Sequence, residues 1–218
     1  HYHCMLGLLQ WYDLTGDAGA LAGCRKAADY LCSRLPLPEG SVKEFACPEM
    51  NKPVSHVLAL LYERTGEKRY LDLVFQIVKE WERGGDYLRL ALMDVPYYKS
   101  PVPRWESLHC VQTLLPLYRI TGEEQYRRAF LQIVDSIAKT DRHNTGGFSS
   151  GEQAKGSPYL DEVIETCCTV AWSVLLYDAL ALTGDSRWAD ELEWSLYNGL
   201  MGAQSPSGRW WTYNTPMS

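Results

Sequence analysis

One short pattern occurs four times along this chain, and it restricts the fold more than any other feature of the sequence. It reads Leu-Leu-Gln-Trp-Tyr-Asp-Leu-Thr-Gly-Asp ending at Asp17 and Leu-Leu-Tyr-Glu-Arg-Thr-Gly-Glu ending at Glu67. It returns as Leu-Pro-Leu-Tyr-Arg-Ile-Thr-Gly-Glu ending at Glu123 and as Tyr-Asp-Ala-Leu-Ala-Leu-Thr-Gly-Asp ending at Asp185. Gly16, Gly66, Gly122 and Gly184 stand 50, 56 and 62 residues apart, and Tyr12, Tyr62 and Tyr118 precede their glycines by four. Thr-Gly ends a helix, because glycine takes the left-handed C-cap conformation without a Cβ penalty. The acidic residue that follows begins the next helix, where a negative charge meets the positive end of the peptide dipoles. Each repeat is therefore a helix, a tight turn and a second helix.

The two helices of a repeat differ. Those before the turn are apolar almost all round, as from Val170 to Tyr177, the pattern of a helix packed on several sides. Those after it are amphipathic, with Tyr70, Leu71, Val74, Ile77, Val78 and Trp81 on one face and Asp72, Lys79, Glu80 and Arg83 on the other. A buried inner ring inside a solvated outer ring predicts an all-α fold, a partial (α/α)6 toroid of about four hairpins. An open superhelix of tetratricopeptide type would show even spacing near 34 residues. Ser205-Pro206-Ser207-Gly208 reads as a turn and Arg209 to Thr215 as strand-like, so a β-hairpin is expected to start there. At 218 residues the chain fits one domain. It begins at His1 without an initiator Met and stops at Ser218 just after an aromatic run, so it reads as a piece of one domain cut at both ends.

A net charge of −6 argues against a nucleic-acid partner, since such proteins present a basic face. No apolar run of transmembrane length stands out, and no membrane partner is expected. The 7 cysteines are odd in number and scattered, which is not a disulfide framework. Cys4, Cys24, Cys32 and Cys110 read as buried free thiols, favouring a cytoplasmic or other reducing compartment. Tyr87, Tyr97, Tyr98 and Trp105 crowd one connecting segment, where rings suit stacking on sugar faces and core packing equally.

Chemistry is expected on the connections Pro36 to Pro53, Gly84 to Trp105 and Thr140 to Ile164. The last is the most informative. It carries Gly146-Gly147-Phe148-Ser149-Ser150-Gly151-Glu152, then Tyr159, then Glu165-Thr166-Cys167-Cys168. Glu165 and Cys167 would point about 200° apart on a helix. In an extended segment running into a helix start they point the same way, and Thr166 or Thr169 could cap that helix. A thiolate and a carboxylate suit zinc, although two ligands do not close a tetrahedral site. The plainer reading is a buried cysteine beside a surface glutamate.

These motifs, with Leu196-Tyr197-Asn198-Gly199 further on, resemble glycoside hydrolase family 127, the β-L-arabinofuranosidases. The resemblance runs along essentially the whole chain and implies that family's toroidal catalytic domain. It implies a glycosidase acting on L-arabinofuranosyl or related glycans of an oligosaccharide substrate. By the resemblance, Glu165 and Cys167 are zinc ligands, to be completed by an adjacent cysteine pair further along, one of which is the nucleophile. Glu152 becomes the acid/base. His3 and His109 become substrate-binding residues, and Trp105 and Tyr159, aromatic residues of the connecting segments, are further substrate-binding candidates. The implied reaction is retaining hydrolysis through a thioglycosyl intermediate. Two departures stand out. Cys168 adjoins Cys167 where a small residue is usual, and reads as a packing residue, with a further metal ligand at the helix start as the alternative. Ala46-Cys47-Pro48-Glu49 replaces Gly-His-Pro-Glu, which removes a sugar-contacting histidine. The residues alone also fit a toroidal unsaturated uronyl hydrolase or sugar epimerase, or a non-catalytic toroid that binds a glycan or a partner.

Overall fold

All four Thr-Gly turns are built alike in the computed structural model, which describes residues 1–35, 51–100, 105–148, 156–159 and 163–216. Gly16, Gly66, Gly122 and Gly184 take φ of 72, 67, 71 and 67°, a region open to glycine at little cost. Their N–H groups donate to the carbonyls of Tyr12, Tyr62, Tyr118 and Leu180. The threonine before each glycine closes the turn twice. The Thr65 hydroxyl donates to the Leu61 carbonyl at 2.8 Å and accepts the Glu67 N–H at 3.3 Å. Thr15, Thr121 and Thr183 repeat both bonds. A hydroxyl held by the backbone in this way explains why Thr precedes Gly in every copy. The acidic residues are the N-caps, but only the shorter Asp17 and Asp185 reach helix N–H groups with their side chains.

The turns join four helix pairs: α1 (Tyr2–Thr15) to α2 (Ala18–Arg34), α3 (Val54–Thr65) to α4 (Lys68–Glu80), α7 (Leu114–Thr121) to α8 (Glu124–Thr140), and α9 (Thr166–Thr183) to α10 (Ser186–Trp194). Between the second and third pairs lie α5 (Tyr87–Leu92) and α6 (Trp105–Val111). The third inner element is broken into α6 and α7 because Pro116 has no N–H for the Gln112 carbonyl. The inner helices pack on one another, α1 on α3, α3 on α7 and α6 on α9, and each carries its outer partner outside. Val57, Leu58, Leu61, Trp172, Leu175 and Leu176 from the inner ring meet Tyr70, Ile77, Phe130 and Ile133 from the outer one, all buried. Each large side chain buried at this interface contributes about 1.5–3 kcal/mol, so the two rings hold together as one core.

The predicted toroid of four hairpins is thus present, and several details differ from expectation. Helix α9 is as long and apolar as a membrane span. Its apolarity belongs to a central helix that packs on α10, α6 and α8. Cys4 is exposed, because the buried face of α1 is Tyr2, Met5 and Leu9 and Cys4 lies off it. Cys24 and Cys110 are buried as expected, and Cys32 is half-buried. Tyr87 and Tyr97 belong to the core rather than to a sugar-facing loop. The expected hairpin turns at Gly208 and bridges Gln204 to Trp211, after which β2 (Asn214–Thr215) leaves to pair with β1 (Ile164–Glu165).

Candidate active site

The inner helices surround a cavity of about 740 Å³. Its lining follows the repeat. The residues ten before each turn glycine are Leu6, His56, Gln112 and Val174; those six before it are Gln10, Leu60, Pro116 and Asp178. All eight line the cavity, because positions four apart share one helical face. His3 and His109 occupy a second shared position, nine residues before Tyr12 and Tyr118, and both line the same space together with Cys167.

The histidines meet through Tyr2. Its hydroxyl lies 2.9 Å from His56 Nδ1, 3.2 Å from His109 Nδ1 and 3.4 Å from Gln112 Oε1. His109 Nδ1 is 2.6 Å from Gln112 Oε1. With the amide oxygen as acceptor, His109 Nδ1 donates, and its Nε2 carries the lone pair. The His3 ring stands edge-on to that of His109, centroids 5.3 Å apart. Burial pushes His56 down to about 3, helped by the charges of His109, Arg119 and Arg64. Burial also pushes His109 down to about 4 against the Gln112 hydrogen bond, and lowers His3. These imidazoles are uncharged at neutral pH and offer hydrogen bonds rather than charge. Charge gathers elsewhere on the lining. Arg64 pairs with Asp13 at 2.8 Å and Arg119 with Glu63 at 2.7 Å, while burial raises Asp178 to about 6 against the pull of Arg119.

Glu165 ends β1 and is the N-cap of α9, with extended backbone at φ −95° and ψ 122°. Its strand pairs antiparallel with β2, Ile164 opposite Thr215 and Glu165 opposite Asn214. Neither threonine caps the helix as expected. Thr166 donates its N–H to the Tyr213 carbonyl at 2.9 Å and its hydroxyl to the Thr212 carbonyl at 2.6 Å. Thr169 accepts the Phe148 N–H at 3.0 Å. Cys167 lies inside the first helical turn, so the extended segment ends at Glu165 and the strand-to-helix change falls between the two residues. The change still turns both side chains to one side. The Cys167 thiol donates to Glu165 Oε1. Tyr213 donates its hydroxyl to the same oxygen at 2.5 Å and stands 3.4 Å from Cys167 Sγ. Cys168 packs in the core, yet its sulfur, the Cys167 sulfur and a Glu165 oxygen all lie within 4.8 Å of one another. Two thiols and a carboxylate at that separation fit three corners of a tetrahedral zinc site.

The glycines of the two motifs hold this cluster. A Cβ on Gly147 would lie 2.4 Å from Ile164 Cγ2, and one on Gly199 would lie 2.9 Å from Thr169 Cγ2 and 3.2 Å from Gly147 Cα. Gly146, at φ 86°, abuts the Trp194 carbonyl. Glycine lets the backbone of the Gly-Gly segment, of the Tyr-Asn-Gly segment and of β1 cross at contact distance. Glu152 and the segment Ala46 to Glu49 lie outside the described residues. Trp105 opens α6, and its side chain also lies outside them. Tyr159 is largely exposed and does not line the cavity. Sequence reasoning missed Tyr2, His56, Gln112 and Tyr213. The shared repeat position pointed to His56 and Gln112, whereas nothing in the local sequence pairs Tyr213 with Glu165 across 48 residues.

Inner and outer helices paired in hairpins around a central cavity that gathers His3, His56, His109 and Gln112, with a thiol–carboxylate cluster where α9 begins, define an α/α-toroid domain. Residues 1–218 match the model of the "Beta-L-arabinofuranosidase, GH127 catalytic domain" family, and the chain belongs to that family. It is similar to the non-reducing end β-L-arabinofuranosidase of Bifidobacterium longum, 24% identical over 97% of this chain and 36% of that protein. Among solved structures it resembles a GH127 β-arabinofuranosidase with a TM-score of 0.77 at 24% identity, covering 99% of this chain and 35% of that one. It also resembles the GH127 β-L-arabinofuranosidase of Geobacillus stearothermophilus T6, with a TM-score of 0.74 at 21% identity over 99% of this chain and 38% of that one. The chain thus spans little more than a third of the length of these relatives.

Proposed function

We propose that this protein is a retaining glycoside hydrolase acting on β-L-arabinofuranosyl or closely related neutral glycans, with a zinc–thiolate centre that includes Glu165 and Cys167. The observation that carries the reading is the convergence of His3, His109 and Cys167 on one cavity. The resemblance gives these residues to substrate and metal, and three different helices, α1, α6 and α9, bring them there. Neutral sugars suit the electrostatics. His56 and His109 are held uncharged, and Arg64 and Arg119, the cationic groups among the described lining residues, are already paired with Asp13 and Glu63. A uronate would need a free cation in their place, so this lining favours a neutral glycoside over an unsaturated uronyl substrate.

The imidazoles and Gln112 would orient sugar hydroxyls through fixed donors and acceptors. Glu152 would protonate the leaving oxygen and then activate water, the role exchange of retaining glycosidases. Glu165, Cys167 and Cys168 would hold the zinc ion, whose contribution when bound is to keep thiol sulfur deprotonated near neutral pH. The test is turnover of matched aryl glycosides by the full-length protein. The reading expects release from the β-L-arabinofuranoside well above release from the corresponding uronide. Equal rates on both, or preference for the uronide, would overturn it.

A further inference from the structure

We infer that Tyr213 is a positioning residue for the metal cluster, holding the Glu165 carboxylate and the Cys167 sulfur in register through its hydroxyl. The inference rests on the zinc reading above and extends it to a residue outside the predicted ligand set.

Two observations carry it. The first is the contact itself. One phenol oxygen lies 2.5 Å from Glu165 Oε1 and 3.4 Å from Cys167 Sγ, so it touches both predicted ligands at once. The second is the care with which the backbone sets it there. The Tyr213 carbonyl accepts the first free N–H of α9 at 2.9 Å. On one side of Tyr213, Thr212 donates to the Ala203 carbonyl at 2.9 Å and accepts from the Thr166 hydroxyl. On the other, Asn214 pairs with Glu165 itself. A side chain largely exposed to solvent is thereby fixed by main-chain bonds rather than by burial.

The chemistry follows from the donors. Glu165 Oε1 accepts two protons, one from a thiol and one from a phenol. A Cys167 sulfur bound to the ion no longer donates to Glu165. The phenol is a second donor to the same oxygen, and metal binding by the sulfur does not remove it. Tyr213 is then a donor that still holds Glu165 Oε1 in place. Groups that orient metal ligands in this way typically alter metal affinity by about 10–100-fold.

The experiment compares zinc affinity of the full-length protein and its Tyr213→Phe variant, by competition with a chromophoric chelator under reducing conditions. Phenylalanine keeps the ring and every main-chain bond. The expected result is affinity at least about 10-fold weaker, with the unfolding midpoint of the metal-free protein unchanged. Affinity within about twofold of the parent, or a weakening matched by a lower metal-free midpoint, would overturn the assignment. Glu165→Gln separates the two levels. If the parent takes up no zinc, or Glu165→Gln binds it as tightly as the parent does, the zinc reading itself fails and takes the Tyr213 role with it.

Discussion

Cys167 donates its thiol to Oε1 of Glu165 across the strand-to-helix boundary, so two residues that a continuous helix would set far apart share a hydrogen bond. The boundary is what a zinc pair at this spacing requires. Serine at position 167 would keep the hydrogen bond but offer a poor zinc ligand, because a hydroxyl does not become an anion near neutral pH. Cys167→Ser in the full-length protein is expected to reduce bound zinc per chain severalfold with little change in helix content. Elemental analysis after reducing purification checks both proteins together.

Gly147 carries the same cluster from behind. A methyl there meets Ile164 at 2.4 Å, and Ile164 adjoins Glu165 in β1. Gly147→Ala is therefore expected to destabilise by roughly 1–3 kcal/mol, as overpacking of a tight crossing does. Denaturant unfolding measures it. Gly7, with open space where its Cβ would stand, is the control, and Gly7→Ala should be neutral or slightly stabilising in the helix interior.

The scaffold was largely legible in the sequence, and for a physical reason. A Thr-Gly turn is a local structure, decided by residues within one helical turn of each other, so four copies gave four hairpins. The cavity was only half legible. His3 and His109 came from the resemblance, but His56 looks like an ordinary interior residue of an apolar helix until its repeat position is compared with that of Gln112. Tyr213 was hidden by distance along the chain, since strand pairing rather than local pattern brings it to Glu165. Cys168 carries two roles at once, packing in the core while its sulfur faces the cluster, and no spacing argument separates them.

His56 should also shape the dependence of stability on pH. Its folded value is depressed to about 3, below the unfolded value near 6.5. The unfolded chain therefore binds the extra proton first, and stability falls as pH drops from about 6.5 toward 3. His56→Gln removes that contribution while keeping an amide that can face Tyr2. Between pH 7 and pH 4 the parent should lose roughly 2–3 kcal/mol more than the variant. Urea unfolding of both proteins at the two pH values gives the difference. Parallel losses would mean that His56 is not held neutral by burial.

Glu152 is the proposed acid/base. Glu152→Gln should slow hydrolysis of a natural glycoside far more than that of an activated aryl glycoside, since a good leaving group needs little protonation. Added azide should then partly restore turnover of the aryl substrate, because an anion needs no general base to attack. Equal, small losses on both substrates would remove Glu152 from the mechanism and direct attention to Asp161 or Glu162. Rates on the paired substrates, with and without azide, decide it.

The central claim is that this toroid supports retaining hydrolysis of a β-L-arabinofuranosyl bond. The most direct measurement is proton NMR of the sugar released by the full-length protein from an aryl β-L-arabinofuranoside, recorded before the free sugar equilibrates. The account predicts that the β anomer appears first and decays toward the equilibrium mixture. First appearance of the α anomer would contradict it, as would failure of the zinc-loaded protein to release any sugar.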